Sequence, residues 1–186
     1  MRERAVFCAL ALLAGGCKNQ ERVPERFGFG TPATADEMAA WDVDVRPDGA
    51  GLPPGSGTPS QGAAIYSRKC SACHGRTGTE GPFDRLVGRE PRHGFPFGRD
   101  PSAVKTIGNY WPFATTVYDY VNRAMPLDAP GSLKPDEVYS LVAFLLWRNE
   151  IITDTAVMNA ETLPHVVMPA RDRFVPDDRR GGADIR

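Results

Sequence analysis

Along the C-terminal half of the chain, apolar residues recur at Val138, Leu141, Val142, Leu145 and Leu146. That 3, 4, 7, 8 spacing predicts a helix with a broad apolar stripe, which Phe144 and Trp147 widen. Pro135 suits its first position, and Asp136 and Glu137 suit the positive end of its dipole. Lys134 stands where a capping Ser or Thr is expected, a deficit of at most about 1 kcal/mol. A second helix is predicted over residues 60–70, with Ser60 as N-cap. Gly62 and Tyr66 share one of its faces, where the glycine admits a close-crossing helix and the tyrosine packs against it. A third is predicted over 113–123, with Val117, Tyr120 and Val121 along one side. A short one runs from Ala35 to Trp41, with Asp36 and Glu37 in its first turn.

Between these segments the periodicity is lost. Residues 46–59 carry Pro47, Gly49, Gly51, Pro53, Pro54, Gly55, Gly57 and Pro59, which no regular element tolerates, so they form a linker or a wrapped arm. The loop from Gly75 to Pro112 is long and rich in glycine and proline, a length that calls for a function such as wrapping a bound group. After Ile152 the pattern is irregular and ends in charge at 177–180, which predicts a mobile tail.

Composition sharpens this picture. With 19 glycines and 17 prolines among 186 residues, nearly one residue in five favours loop. A helical core that small needs another apolar body at its centre, and a buried cofactor supplies one. Net charge is −1 and no basic block is present, which excludes the electrostatic footprint of a nucleic-acid binder. No Ser-His-Asp arrangement, phosphate-binding glycine loop or paired-carboxylate site is discernible.

The first sixteen residues read as a targeting segment. Arg2 and Arg4 precede an apolar run of about ten residues, Ala5 to Ala14, too short to span a bilayer and suited to a signal peptide. It ends in Leu13-Ala14-Gly15-Gly16-Cys17, which resembles a bacterial lipobox, although the leucine lies four rather than three residues before the cysteine. Lipidation at Cys17 is expected, with an ordinary cleaved signal as the alternative. The protein is then held on the periplasmic side of a bacterial membrane, or is soluble in the periplasm if Cys17 carries no lipid. Stable anchoring needs more than one acyl chain.

Of the four cysteines, Cys8 lies in the leader and Cys17 is the lipidation candidate. Cys70 and Cys73 remain, in Cys70-Ser71-Ala72-Cys73-His74. This is the attachment pattern of a c-type haem: two thiols add to the two vinyl groups, and the adjacent imidazole becomes the proximal iron ligand. A zinc site would need a second cysteine pair. A thioredoxin-like pair would sit between a strand and a helix, whereas here a helix precedes and a loop follows. A simple disulfide would leave His74 unexplained. One covalent haem c is therefore the expected cofactor.

A low-spin electron carrier needs a second axial ligand, Met or His. Met125 lies 51 residues after His74, between two predicted helices, and Pro126 biases it toward an extended conformation. His93 is the main rival; His165 and Met168 lie in the tail, and Met38 and Met158 complete the set. Sulfur ligation raises the reduction potential relative to two histidines. Tyr110 and Trp111 are expected to pack on a haem edge, with a ring N–H or O–H reaching a propionate. Arg89, Arg92 and Arg99 are further partners for the propionates.

Over residues 60–150 the helix, the haem motif, Met125 and the final helix resemble an all-α, class I cytochrome c, with helices wrapped around one haem. A narrower resemblance reaches from about residue 27 to 178. It is carried by Trp41-Asp42-Val43-Asp44-Val45-Arg46-Pro47-Asp48-Gly49, by Lys105-Thr106-Ile107-Gly108-Asn109-Tyr110-Trp111-Pro112 and by Tyr118-Asp119-Tyr120-Val121-Asn122-Arg123-Ala124-Met125-Pro126. These blocks are similar to the cytochrome c subunit of the periplasmic sulfur-oxidising (Sox) sulfane/sulfite dehydrogenases. The resemblance implies an electron-transfer protein rather than an enzyme in itself. Its donor would be a molybdopterin dehydrogenase subunit, its acceptor another cytochrome or an oxidase, and Met125 its distal ligand. The expected organisation is a signal peptide (1–16), a tether and Pro/Gly-rich arm (17–59), a cytochrome c domain (60–150) and an irregular tail (151–186). Two other functions compete: a lipoprotein cytochrome shuttling electrons to a terminal oxidase, and a haem with an open distal site for catalysis or gas sensing.

Overall fold

A computed structural model describes residues 28–91 and 94–175. The leader, Cys17, Arg92, His93 and the charged run at 177–180 therefore lie outside the described residues. The fold is that of residues 35–175. Its elements are α1 (Ala35–Trp41), β1 (Ser56–Gly57), α2 (Pro59–Lys69), α3 (Ser71–His74), α4 (Ala114–Ala124), α5 (Pro135–Arg148) and β2 (Met158–Asn159), with three short 3-10 turns.

The architecture is helical, as expected. The cap of α2 lies two residues earlier than predicted: Thr58 is the N-cap, and its side-chain oxygen accepts from Gln61 N. The Gln61 side chain in turn accepts from Thr58 N at 2.9 Å, and Pro59 takes the first helical position. Ser60 is thus inside the helix. α2 crosses α5 at Gly62, where a Cβ would overlap the Ser140 carbonyl and lie 2.6 Å from Phe144 Cβ. One turn on, the Tyr66 and Phe144 rings stand 5.0 Å apart. At α5, Glu137 supplies half of the capping box that Lys134 cannot, accepting from Lys134 N at 3.0 Å.

α5 is more deeply buried than a stripe would make it. Every residue from Val138 to Leu146 is buried, because α2, α4 and the β1–β2 pair cover different sides of it. α4 turns a different edge inward from the predicted one. Ala114, Val117, Tyr118 and Val121 face the core, and Tyr118 meets Tyr139 with ring centroids 4.6 Å apart. Tyr120 is 49 % exposed. Tyr118 and Tyr120 flank the same stripe, and the α5 partner decides which one is covered.

The arm at 42–55 is wrapped onto the helices. Val45 is buried and its amide donates to Asp119 Oδ1 at 2.8 Å. Thr115 Oγ1 donates to Pro47 O and Tyr139 Oη to Pro53 O. Gly51 adopts a φ of +91° where a side chain would strike the Asp44 carbonyl. The segment expected to trail loosely after Ile152 is also packed. β2 pairs antiparallel with β1, Ser56 opposite Asn159, and Met158, Leu163, Met168 and Ala170 are buried. Apolar residues spaced irregularly bury as well as periodic ones once a β-bridge fixes the chain, which is why periodicity missed them. No described helix is long and apolar enough to cross a membrane.

Candidate haem site

α2 delivers Cys70, and the one-turn helix α3 carries Ser71 to His74. The helix breaks at Cys70 (φ −124°, ψ −32°), so the two cysteines and the histidine sit on a tight turn rather than one continuous helix. Gly75 follows at φ +79°, and a side chain there would meet the Glu80 side chain and Gly81 N. Both thiols are free, Cys70 half-buried and Cys73 exposed. Burial pushes the Cys70 thiol up to about 11, with the nearby Lys69 opposing and Cys73 adding to it.

His74 is oriented by the backbone. Its Nδ1 donates to the Asp84 carbonyl at 2.8 Å, which leaves Nε2 as the ring nitrogen for a metal. Asp84 contributes a carbonyl that any residue would have, so the sequence carried no signal for it. Asn149 anchors the following loop: its Nδ2 donates to Leu86 O and Leu145 O, and its Oδ1 accepts from Gly88 N at 2.9 Å. Asn109 does the same further on, accepting from Thr106 N and donating to Glu90 O and Val104 O. Both asparagines are buried. Asn149 closes the end of α5, where its backbone N–H donates to Leu145 O at 3.1 Å, and sequence offered no clue to its loop contacts.

The structure separates the methionines. Met158 and Met168 are enclosed in the core, and Met38 sits on α1, which buries none of its residues. Met125 is half-buried against the core edge, at the end of α4, with φ −121° and ψ 149° as Pro126 requires. His165 is exposed in a 3-10 turn of the tail. Met125 is thus the described candidate with a thioether at the rim of the core.

Tyr110 and Trp111 part company. Trp111 is half-buried against the core, its ring 5.7 Å from Tyr120. Tyr110 joins an aromatic cluster with Phe95, Phe97 and Phe174, and the Lys105 ammonium lies 4.9 Å from its ring centre. Arg89 and Arg99 also differ: Arg99 is exposed, whereas Arg89 Nε is buried without a hydrogen-bond partner. Arg148 Nε is in the same condition, and sequence reasoning did not single it out.

These residues fit a haem. The donor set is two thiols, an imidazole with its Nε2 free and a thioether; these are the groups that attach and ligate a c-type haem. An orphaned buried guanidinium nitrogen is costly, and a propionate carboxylate is a partner that would satisfy it. Among the described residues no group of three or more His, Cys, Asp or Glu is placed to hold a metal ion alone.

Comparison with known proteins agrees. The family described as cytochrome c oxidase, cbb3-type, subunit III, matches residues 57–145. The chain is also similar to a chain in the crystal structure of the sulfane dehydrogenase SoxCD from Paracoccus pantotrophus. The two are 41 % identical with a TM-score of 0.72, over 83 % of this chain and 74 % of that one. No curated protein sequence matches.

Proposed function

The chain belongs to the class I c-type cytochromes of the Sox type, and from that membership we propose that it is the monohaem electron-accepting subunit of a molybdopterin sulfane or sulfite dehydrogenase. The observation that carries this reading is the extent of the likeness. The haem-domain match stops at 57–145, whereas the likeness to the SoxCD chain covers 83 % of the sequence and so includes much of the arm and tail. A haem carrier needs neither segment, and their retention fits a protein that works against a particular partner.

In this reading Cys70 and Cys73 would hold one haem c through thioether bonds, and His74 and Met125 would ligate its iron. The haem supplies one-electron chemistry between ferric and ferrous iron. The chain's own residues set its terms. The Asp84 carbonyl makes His74 a stronger donor by polarising its N–H. As a soft ligand the Met125 thioether would favour the reduced metal and raise the potential relative to a second imidazole, which would suit accepting electrons from an oxidation. With Met125 as well as His74 holding it, the iron would have no site left for substrate, which suits a carrier. Electrons leave to another cytochrome or an oxidase.

A gentle purification of the tagged protein from its native host, with iron and molybdenum measured in one fraction, tests this. Molybdenum near one per haem iron is expected, together with reduction of the haem by sulfite. Iron alone, with no sulfite-dependent reduction, refutes it. A second reading, a membrane-tethered shuttle to a terminal oxidase, is favoured by Gly15-Gly16-Cys17. In both readings we propose a periplasmic location, anchored through Cys17 in the second and either anchored there or soluble in the first. A mature N-terminal peptide whose mass lacks a diacylglycerol on Cys17 would refute the anchor.

A further inference from the structure

Helix α1 buries none of its seven residues. Trp41 is 88 % exposed and Met38 57 %, and three positions apart they share one face. Val43, just beyond, is 48 % exposed. A helix this short is marginal in water without tertiary contacts, and an exposed indole contributes nothing to the core. The chain just beyond it is held in place. Four residues after Trp41, Val45 is buried and its amide is bonded to Asp119, whose carboxylate also accepts from Arg123 Nε at 2.9 Å. The segment is acidic: Asp36, Asp42 and Asp44 fall within residues 35–45, which contain no lysine or arginine, Arg46 follows directly, and Arg123 lies near Asp44 alone of these.

We propose that α1 is the docking element for the dehydrogenase subunit, with Trp41 and Met38 filling an apolar pocket on that protein and the acidic residues meeting a rim of lysines and arginines. The inference rests on the function proposed above and adds where and how the partner is held. Charge selects the occupant. An anionic lipid surface repels an acidic helix. A second copy in a two-fold dimer brings the same acidic segment against itself. A helix of seven residues also covers far less than the roughly 800 Å² per partner of a stable interface, so it serves as one aromatic anchor within a larger contact.

The test compares the tagged wild type with a Trp41→Ala/Met38→Ala double variant and with Trp41→Phe, each purified as haem-loaded protein from the native host. These side chains touch nothing in the core, so visible spectrum and melting temperature are expected to match. Molybdenum per haem iron should be near one in the wild type and in Trp41→Phe. It should be lost from the double variant, reflecting association weakened about 30-fold or more. Rising salt should weaken wild-type association and slow sulfite-dependent haem reduction. Full retention of molybdenum by the double variant overturns the docking role while leaving the subunit reading standing. The docking role is equally overturned if the double variant changes instead the self-association of the isolated protein or its binding to phosphatidylglycerol vesicles. A wild type that carries no molybdenum and shows no sulfite-dependent reduction overturns both.

Discussion

Replacing Gly62 by alanine sets two effects against each other whose magnitudes differ enough to decide the outcome. In an isolated helix the change is favourable by about 1 kcal/mol, because glycine loses more backbone entropy than alanine. Here the added methyl has no room. It would overlap the Ser140 carbonyl and lie 2.6 Å from Phe144 Cβ, and both belong to α5, the most buried element. A carbonyl fixed in a helix cannot rotate aside, so α2 and α5 must separate along their crossing. Overpacking a core by one methyl costs about 1–3 kcal/mol, and a backbone obstacle puts this case at the upper end. The net expectation is a loss of about 2 kcal/mol, which for a chain of this size lowers the melting temperature by about 4–8 °C. Thermal and urea unfolding of the haem-loaded protein, followed by far-ultraviolet circular dichroism, measures it. Unchanged or increased stability would refute the claim that the α2–α5 crossing is closed at Gly62.

Three further outcomes are expected. Met125→His should lower the reduction potential, and Met125→Ala should let the ferrous protein bind carbon monoxide; redox titration and a carbon monoxide difference spectrum check them, and wild-type behaviour in both variants excludes Met125 as ligand. Asn149→Ala leaves the Gly88 N–H without its partner, while Leu86 O keeps its bond from Ile107 N, so it should cost about 1–3 kcal/mol and speed proteolysis within 75–112. Unaltered stability and cleavage would show that the loop is held by something else. Glu137 is held below the usual carboxylate range by the Lys134 amide and then by the Lys69 ammonium at 2.9 Å. A depressed carboxylate stabilises the fold above its unfolded pKa and loses that contribution as pH falls through the folded value. Wild type should therefore lose stability more steeply than Glu137→Gln on acidification, the two curves converging in strong acid; parallel curves would contradict the assignment.

The haem-attachment motif was legible because it is local. Cys70, Cys73 and His74 are fixed relative to one another by sequence spacing, and Pro126 constrains Met125 through the one bond between them. The α5 helix was legible for the same reason, since its 3, 4, 7, 8 spacing and its Pro135 start are properties of neighbours in the chain. α1 was foreseen to its boundaries, yet nothing in its sequence said whether Trp41 would be covered.

Tertiary structure decided everything that depends on which surfaces meet. It chose Tyr118 over Tyr120 for the core because Tyr139 lies opposite. It enclosed Met158 where β2 pairs with β1, and buried Met168 further along, turning two ligand candidates into packing. It aimed His74 through a backbone carbonyl and held the loop beyond through Asn149, contacts made across 10 and about 60 residues of chain. Spacing fixes what adjacent residues can do together; burial and long-range hydrogen bonds are properties of the folded chain as a whole, and only the fold assigns them.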